Sequence, residues 1–232
     1  MKYKILFLLS VGFTLFCNAQ DFFDKADAVF STYVKEGKVD YKALKANPGK
    51  LHTALKAATA FSPKVQNAAE YQAFWVNAYN LAVLKGVVDK YPIKSPLDVG
   101  GFFDKMTYDL GGTSITLNDL ENKKLRAEYP NEARFHFVLV CAGLGCPPLI
   151  NKAYRPDTIE VQMKQQTSLA LNNPNFIKPQ GKKVLVSEIF KWYQIDFDRN
   201  GGIIGFINKY RKEPLEANKV GYYTYDWSLN SL

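Results

Sequence analysis

The residues Phe74 to Leu84 read FWVNAYNLAVL, and Asn77 and Asn80 are the only non-hydrophobic side chains among them. The run extends into a predicted helix from about Ala68 to Asp89, with no proline inside it and Pro92 just beyond. At about 100° per residue, Glu70, Ala73, Asn77, Asn80 and Leu84 share an arc of about 80°, while Trp75, Tyr79, Ala82 and Val83 cover the far side. A helix that is apolar all round is a buried helix. An amide taken out of water without a partner costs about 1 to 3 kcal/mol, so both asparagines either bond another element or line a cavity. In the first case they fix how neighbouring segments dock. In the second they hold a ligand or orient a catalytic side chain.

Elsewhere the periodicity is mixed. Helical spacing runs from Asp21 to Lys35, ended by Gly37, and again from Tyr41 to Leu55 with a break near Pro48; His52 on that stretch reads as a surface residue. Met106 to Leu110 and Ser114 to Leu117 flank Gly111-Gly112 as a β-hairpin, after which Thr116 starts a helix reaching about Glu128. The stretch Phe135 to Cys141, FHFVLVC, is short, apolar and rich in aromatic and β-branched residues, which predicts a strand covered on both faces. His136 is its one ionisable member, so its imidazole is either bonded in the interior or open to a pocket. Asp157 to Leu171 reads as an amphipathic helix, Phe176-Ile177 and Lys183 to Val186 as strands, and Ser187 as the cap of a helix carrying Ile189, Phe190 and Trp192. A helix from Ile203 to Tyr210 and a terminal strand from Gly221 to Trp227 complete the chain. Strands set among unequal helical regions, without a βαβ rhythm, predict an α+β fold: one domain, largely helical, around a small and mainly antiparallel sheet with a buried central helix.

Composition adds an address. Lys2 and Lys4 precede the apolar run Ile5 to Phe16, and Cys17-Asn18-Ala19 offers a cleavage site ahead of Gln20. Residues 1–19 therefore read as a secretory signal peptide and residues 20–232 as the globular domain, exported to the periplasm or secreted, with no integral membrane segment once the signal is removed. Removing the signal lowers the formal net charge from +8 to +6. The lysines are scattered and no basic run is interleaved with aromatics, which argues against nucleic-acid binding. Processing also leaves Cys141 and Cys146, separated by Ala142-Gly143-Leu144-Gly145. In an oxidising compartment these are disulfide candidates, the alternatives being a reactive thiol or a redox pair. Closing so short a loop contributes about 2 kcal/mol and makes the turn a rigid rim.

Several stretches together resemble the domain-of-unknown-function family 547: AFWVNAYN at Ala73 to Asn80, TLNDLENKKLR at Thr116 to Arg126, RFHFVLVCAGLGCPPL at Arg134 to Leu149, SEIFKWYQIDF at Ser187 to Phe197, and YDWSLN at Tyr225 to Asn230. The resemblance implies a fold and a set of recurring polar residues: Asn77, Asn80, Glu121, Arg134, His136, Cys141 and the Cys-Pro-Pro beginning at Cys146. Relatives often carry histidine directly after the glutamate matched by Glu121; this chain has Asn122.

Two kinds of function fit these residues. In one, a cleft formed by Asn77, Asn80, Arg134 and His136 binds a small polar or peptide-like ligand, with Arg134 meeting a carboxylate and the amides reading backbone-like groups. In the other, His136 works with Cys141, Cys146 or Glu121 as a hydrolase or acyl transferase. On a regular strand His136 and Cys141 would point to opposite faces about 16 Å apart, at about 3.3 Å per residue, so direct pairing needs the strand to bulge or end early. Asp196-Phe197-Asp198-Arg199-Asn200-Gly201 copies the first half of a calcium loop, but Ile207 stands where a bidentate glutamate is needed, and a polar turn is the expected role. No zinc-ligand cluster, phosphate loop or dinucleotide fingerprint appears in the sequence, and no cofactor is expected.

Overall fold

The apolar helix forms as its sequence dictates. In the computed structural model, which describes residues 20–232, α4 (Ala68–Lys90) is buried without interruption from Tyr71 to Leu84. The predicted signal peptide lies outside the described residues. Around α4 pack α2 (Tyr41–Ala46), α3 (Gly49–Ala60) and α6 (Ile159–Asn172), and a helix over residues 20–33, α1, adds Phe22, Phe23 and Phe30 to the same core. A minimal hairpin, β1 (Val34–Lys35) with β2 (Lys38–Val39), follows α1. The predicted hairpin β3 (Thr107–Leu110) and β4 (Thr113–Thr116) is antiparallel, and Gly111 and Gly112 both take positive φ, 62° and 74°, as its tight turn requires.

A second hydrophobic cluster gathers Phe137, Phe190, Phe197 and Phe206 beneath the sheet β5 (Ile177–Gln180), β6 (Lys183–Ser187) and β7 (Lys219–Tyr223). In that sheet β5 pairs antiparallel with β6, while β7 joins β6 in parallel. Its helices are α7 (Ile189–Trp192), α8 (Gln194–Asp198) and α9 (Gly202–Tyr210). The architecture is α+β. Among the described residues no helix is long and apolar enough to cross a membrane.

Two predicted elements take other forms. The helix opened by Thr116, whose Oγ1 accepts the Asp119 N–H at 3.1 Å, is α-helical only over α5 (Leu117–Asp119) and continues as a π-helix over Leu120–Arg126. The predicted strand at Phe135 to Cys141 begins as a 3-10 helix, Ala133–Phe137, and continues through a turn at Val138 into irregular chain. Among the described residues no strand pairs with Val138 to Cys141. The buried Asn80 amide takes that place: its Nδ2 donates to Val138 O at 2.9 Å and its Oδ1 accepts the Val140 N–H at 2.9 Å. Tertiary context thus overrides a strong β propensity by supplying side-chain partners for the backbone.

Asn77 acts the same way on another segment. Its Nδ2 donates to Tyr154 O at 2.7 Å and to Ala73 O at 2.8 Å, and its Oδ1 accepts the Tyr154 N–H at 3.0 Å. Both amides are closed onto main chain, so their role is docking and the expectation that they hold a ligand gives way. Truncating Asn80 strands a buried carbonyl and a buried N–H, which cost about 1 to 3 kcal/mol each. Urea unfolding should therefore show Asn80→Ala destabilised by about 3 kcal/mol against under about 0.5 for the exposed Lys123→Ala; near-equal losses would refute the docking role.

Candidate functional site

The segment pinned by Asn80 runs along the seam between the two hydrophobic clusters. Phe135 belongs to the first and Phe137 to the second, which leaves His136 between them with a side-chain exposure of only 3%. Its Nε2 lies 2.9 Å from Asp196 Oδ2, on α8. The same carboxylate oxygen accepts Arg126 Nε at 2.7 Å, and the Arg126 guanidinium also donates to Asn122 Oδ1. Burial acts to raise the Asp196 carboxyl, but the hydrogen bonds and charges of His136 and Arg126 prevail and bring it down from the ordinary 3.8 to about 2.

An ionised carboxylate has no hydrogen to give. Nε2 therefore carries the proton of the His136–Asp196 bond, and whenever the ring is neutral Nδ1 is its lone-pair nitrogen. Nδ1 lies 3.9 Å from Glu121 Oε1, beyond hydrogen-bond reach. On its face the imidazole stacks on Tyr193, with ring centroids 3.9 Å apart, and Arg126 covers that tyrosine ring at 4.9 Å.

The π-helix explains how Glu121 and Arg126 both reach this point. Residues five apart on an α-helix diverge by about 140°. An i→i+5 turn, closed here by Ala127 N–H to Asn122 O at 3.0 Å, stacks them instead. Asn122 also donates to Asn118 O at 2.9 Å.

His136 and Glu121 open on a cavity of about 210 Å³, with Cys141 and Cys146 in the same wall. Phenols supply its donors. Burial first, then the nearby Glu121 charge, pushes the Tyr79 and Tyr193 hydroxyls up, and burial does the same for Tyr225, so all three stay protonated. Tyr225 packs with Trp192 and Trp227 at centroid distances of 5.0 and 4.7 Å, and Trp192 is 46% exposed, giving the mouth an aromatic rim.

Cys141 and Cys146 meet as a disulfide, their Cα atoms 6.5 Å apart. The 3-10 turn is the reason that Cys141 and His136 share a cavity, which a regular strand would have prevented. Arg134 faces elsewhere: its guanidinium is bound to both oxygens of Glu132 and, at 2.9 Å, to Glu160, and it has no part in the cavity wall. The expectation that it meets a ligand carboxylate is corrected by these two glutamates, which already satisfy its fork. The calcium reading also falls away at Asp196, whose carboxylate turns inward to His136 and Arg126.

A sequence profile for a family described as "Protein of unknown function, DUF547" matches residues 63–169. Those residues belong to this family. The DUF547 segment supplies α4, the π-helix, His136 and both cysteines, whereas Tyr193, Asp196 and Tyr225 lie outside the matched span. Neither the curated proteins nor the solved structures offer a match to the chain. The cavity thus combines the DUF547 segment with the region that follows it. Sequence reasoning missed Arg126, Tyr193 and Asp196 as partners of His136, although each lies in a stretch that carries the resemblance.

The depressed Asp196 carboxyl makes stability depend on acid. Its folded value lies below its unfolded one, so the stability it adds is fully present above about pH 4 and is lost as pH falls toward about 2. Thermal unfolding from about pH 5 downward should show a flatter acid limb for Asp196→Asn than for the wild type. Superimposable limbs would count against the His136–Asp196–Arg126 arrangement.

Proposed function

We propose that the chain is an exported domain that binds a small polar or peptide-like ligand in the His136 cavity. The observation that carries this reading is the arrangement at His136: Nε2 is committed to Asp196, while Nδ1, 3.9 Å from Glu121 Oε1, has no hydrogen-bond partner among the described residues and in the neutral ring would accept one from a molecule beside Glu121. A peptide-like ligand suits the remaining wall. Its carbonyl groups would accept from the protonated phenol of Tyr79, its amide hydrogens would donate to Nδ1 or Glu121, and an apolar side chain would rest on Trp192 and Trp227. Six of the thirteen residues lining the cavity are Phe, Tyr or Trp, set among a few polar groups, the usual make-up of a small-molecule site. The signal-peptide pattern of residues 1–19 supports action outside the cytoplasm.

The same geometry favours a second reading, acid–base catalysis. A histidine oriented by a buried carboxylate, with its second nitrogen facing a cavity, is the base-and-orienter pair of many hydrolases and transferases. Here Asp196 would fix the tautomer and Nδ1 would remove a proton from a bound nucleophile such as water. With the cysteines joined, neither sulfur can act as nucleophile, so this reading rests on Glu121 and His136.

Trp192 and Trp227 at the mouth report on occupancy. Titration with N-acetyl amino-acid amides, as peptide-like probes, should change tryptophan fluorescence saturably, and Glu121→Gln should weaken the apparent affinity about tenfold, the order expected for losing one hydrogen bond to a charged group. A linear, unsaturable response in the wild type, or equal affinity in the variant, would overturn the binding reading.

A further inference from the structure

The disulfide stands in the cavity wall rather than in the core, and the loop that it closes is held without it. Asn230 N–H donates to Ala142 O at 2.8 Å, Leu144 N–H to Ser228 O at 2.8 Å and Gly145 N–H to Asp226 O at 2.8 Å, while Gly143 bridges to Leu229. Gly145 lies so near the Tyr225 ring that a Cβ there would stand 2.9 Å from it, which seats the loop directly on that tyrosine. A cross-link between residues five apart removes little chain entropy even in an unanchored loop. It contributes less where three main-chain hydrogen bonds to the chain's end already fix the path.

The two sulfurs have different surroundings. Cys146 Sγ accepts the Cys141 N–H at 3.0 Å and faces the Tyr225 hydroxyl at 2.9 Å. Cys141 Sγ also lies 2.9 Å from that hydroxyl, but it has no second donor among the described hydrogen bonds, and the phenol has one hydrogen to give. Cys146 therefore has the Cys141 N–H to itself and can draw the Tyr225 hydrogen as well once it is negative, whereas Cys141 has at most that one shared hydrogen. Both cysteines line the cavity, and neither is fully buried.

We propose that Cys141–Cys146 is a thiol–disulfide exchange site, with Cys141 as the sulfur attacked and Cys146 as the leaving thiolate, acting on small thiols or thiol-bearing peptides that enter the cavity. An incoming thiolate RS⁻ attacks Cys141 Sγ. The R–S–Sγ bond forms, the bond between the two cysteine sulfurs breaks, and its electron pair leaves on Cys146 Sγ, where the Cys141 N–H and the Tyr225 O–H stabilise it. A second RS⁻ then attacks the sulfur of the R group, forming RSSR and releasing Cys141 as thiolate. With two protons taken up, two thiols have become one disulfide and the protein disulfide has become two thiols. The reverse sequence reduces a substrate disulfide. Low leaving-group basicity speeds such exchange, which is what donors placed at Cys146 provide. This role does not require His136 to act as a base or the cavity to bind an amide.

The test uses dithiothreitol on the purified oxidised protein, with the reduction rate followed by alkylation and mass. The native disulfide should be reduced about tenfold faster than the same disulfide in concentrated urea, because the folded site stabilises the leaving sulfur. Tyr225→Phe should slow the native rate about tenfold, by loss of one hydrogen bond to the departing thiolate. In single variants at neutral pH, iodoacetamide should alkylate Cys146 in Cys141→Ala about tenfold faster than Cys141 in Cys146→Ala. A native rate equal to or below the rate in urea would make the bridge purely structural and overturn the proposal, whatever the variants do. Equal or reversed alkylation rates would overturn the assignment of Cys146 as the leaving sulfur.

Discussion

Asn80 is the point on which the site depends. An unsatisfied amide on a buried apolar helix is costly, and Asn80 meets that demand by bonding the backbone of Val138 and Val140. This anchors the chain just beyond His136 and sends Phe135 and Phe137 into separate hydrophobic clusters. The histidine is left in the seam. Asn77, three residues earlier on α4, does the same for the backbone at Tyr154.

Burying an imidazole in such a seam is tolerable only with a committed partner, and Asp196 arrives from far along the chain to be one. The carboxylate would itself be costly there without Arg126, which reaches it because the preceding helix widens into a π-turn. Two local departures from regular structure, the π-helix and the 3-10 helix, thus meet at one charge cluster. Each irregularity has a chemical purpose: one aligns Glu121 with Arg126, and the other turns His136 toward the cavity that holds the cysteines.

Much of this frame could be read from the chain alone. The span of α4, the demand that its two asparagines impose and the Gly111-Gly112 hairpin all follow from local patterns of short period. What the amides bond to could not be read, because hydrogen-bond partners far apart in sequence leave no local trace. The Phe135 to Cys141 run misleads for a related reason: its β-branched residues signal a buried strand, which is right for the burial of Val138 to Val140, but the backbone there turns and its partner is a side chain rather than a strand. Arg134 carries the charge expected of a ligand contact, yet Glu132 and Glu160 satisfy it first. Asp196 lies in a polar run resembling a metal loop, and only its inward rotamer reveals that it serves His136.

The central claim is that Asp196 holds His136 with the hydrogen on Nε2 and leaves Nδ1 as an acceptor toward the cavity. Nitrogen-15 NMR of the imidazole tests it directly on the neutral ring. The account predicts a protonated, pyrrole-type Nε2 and an unprotonated, pyridine-type Nδ1, with the pattern lost in Asp196→Asn; a neutral ring protonated on Nδ1 would contradict it.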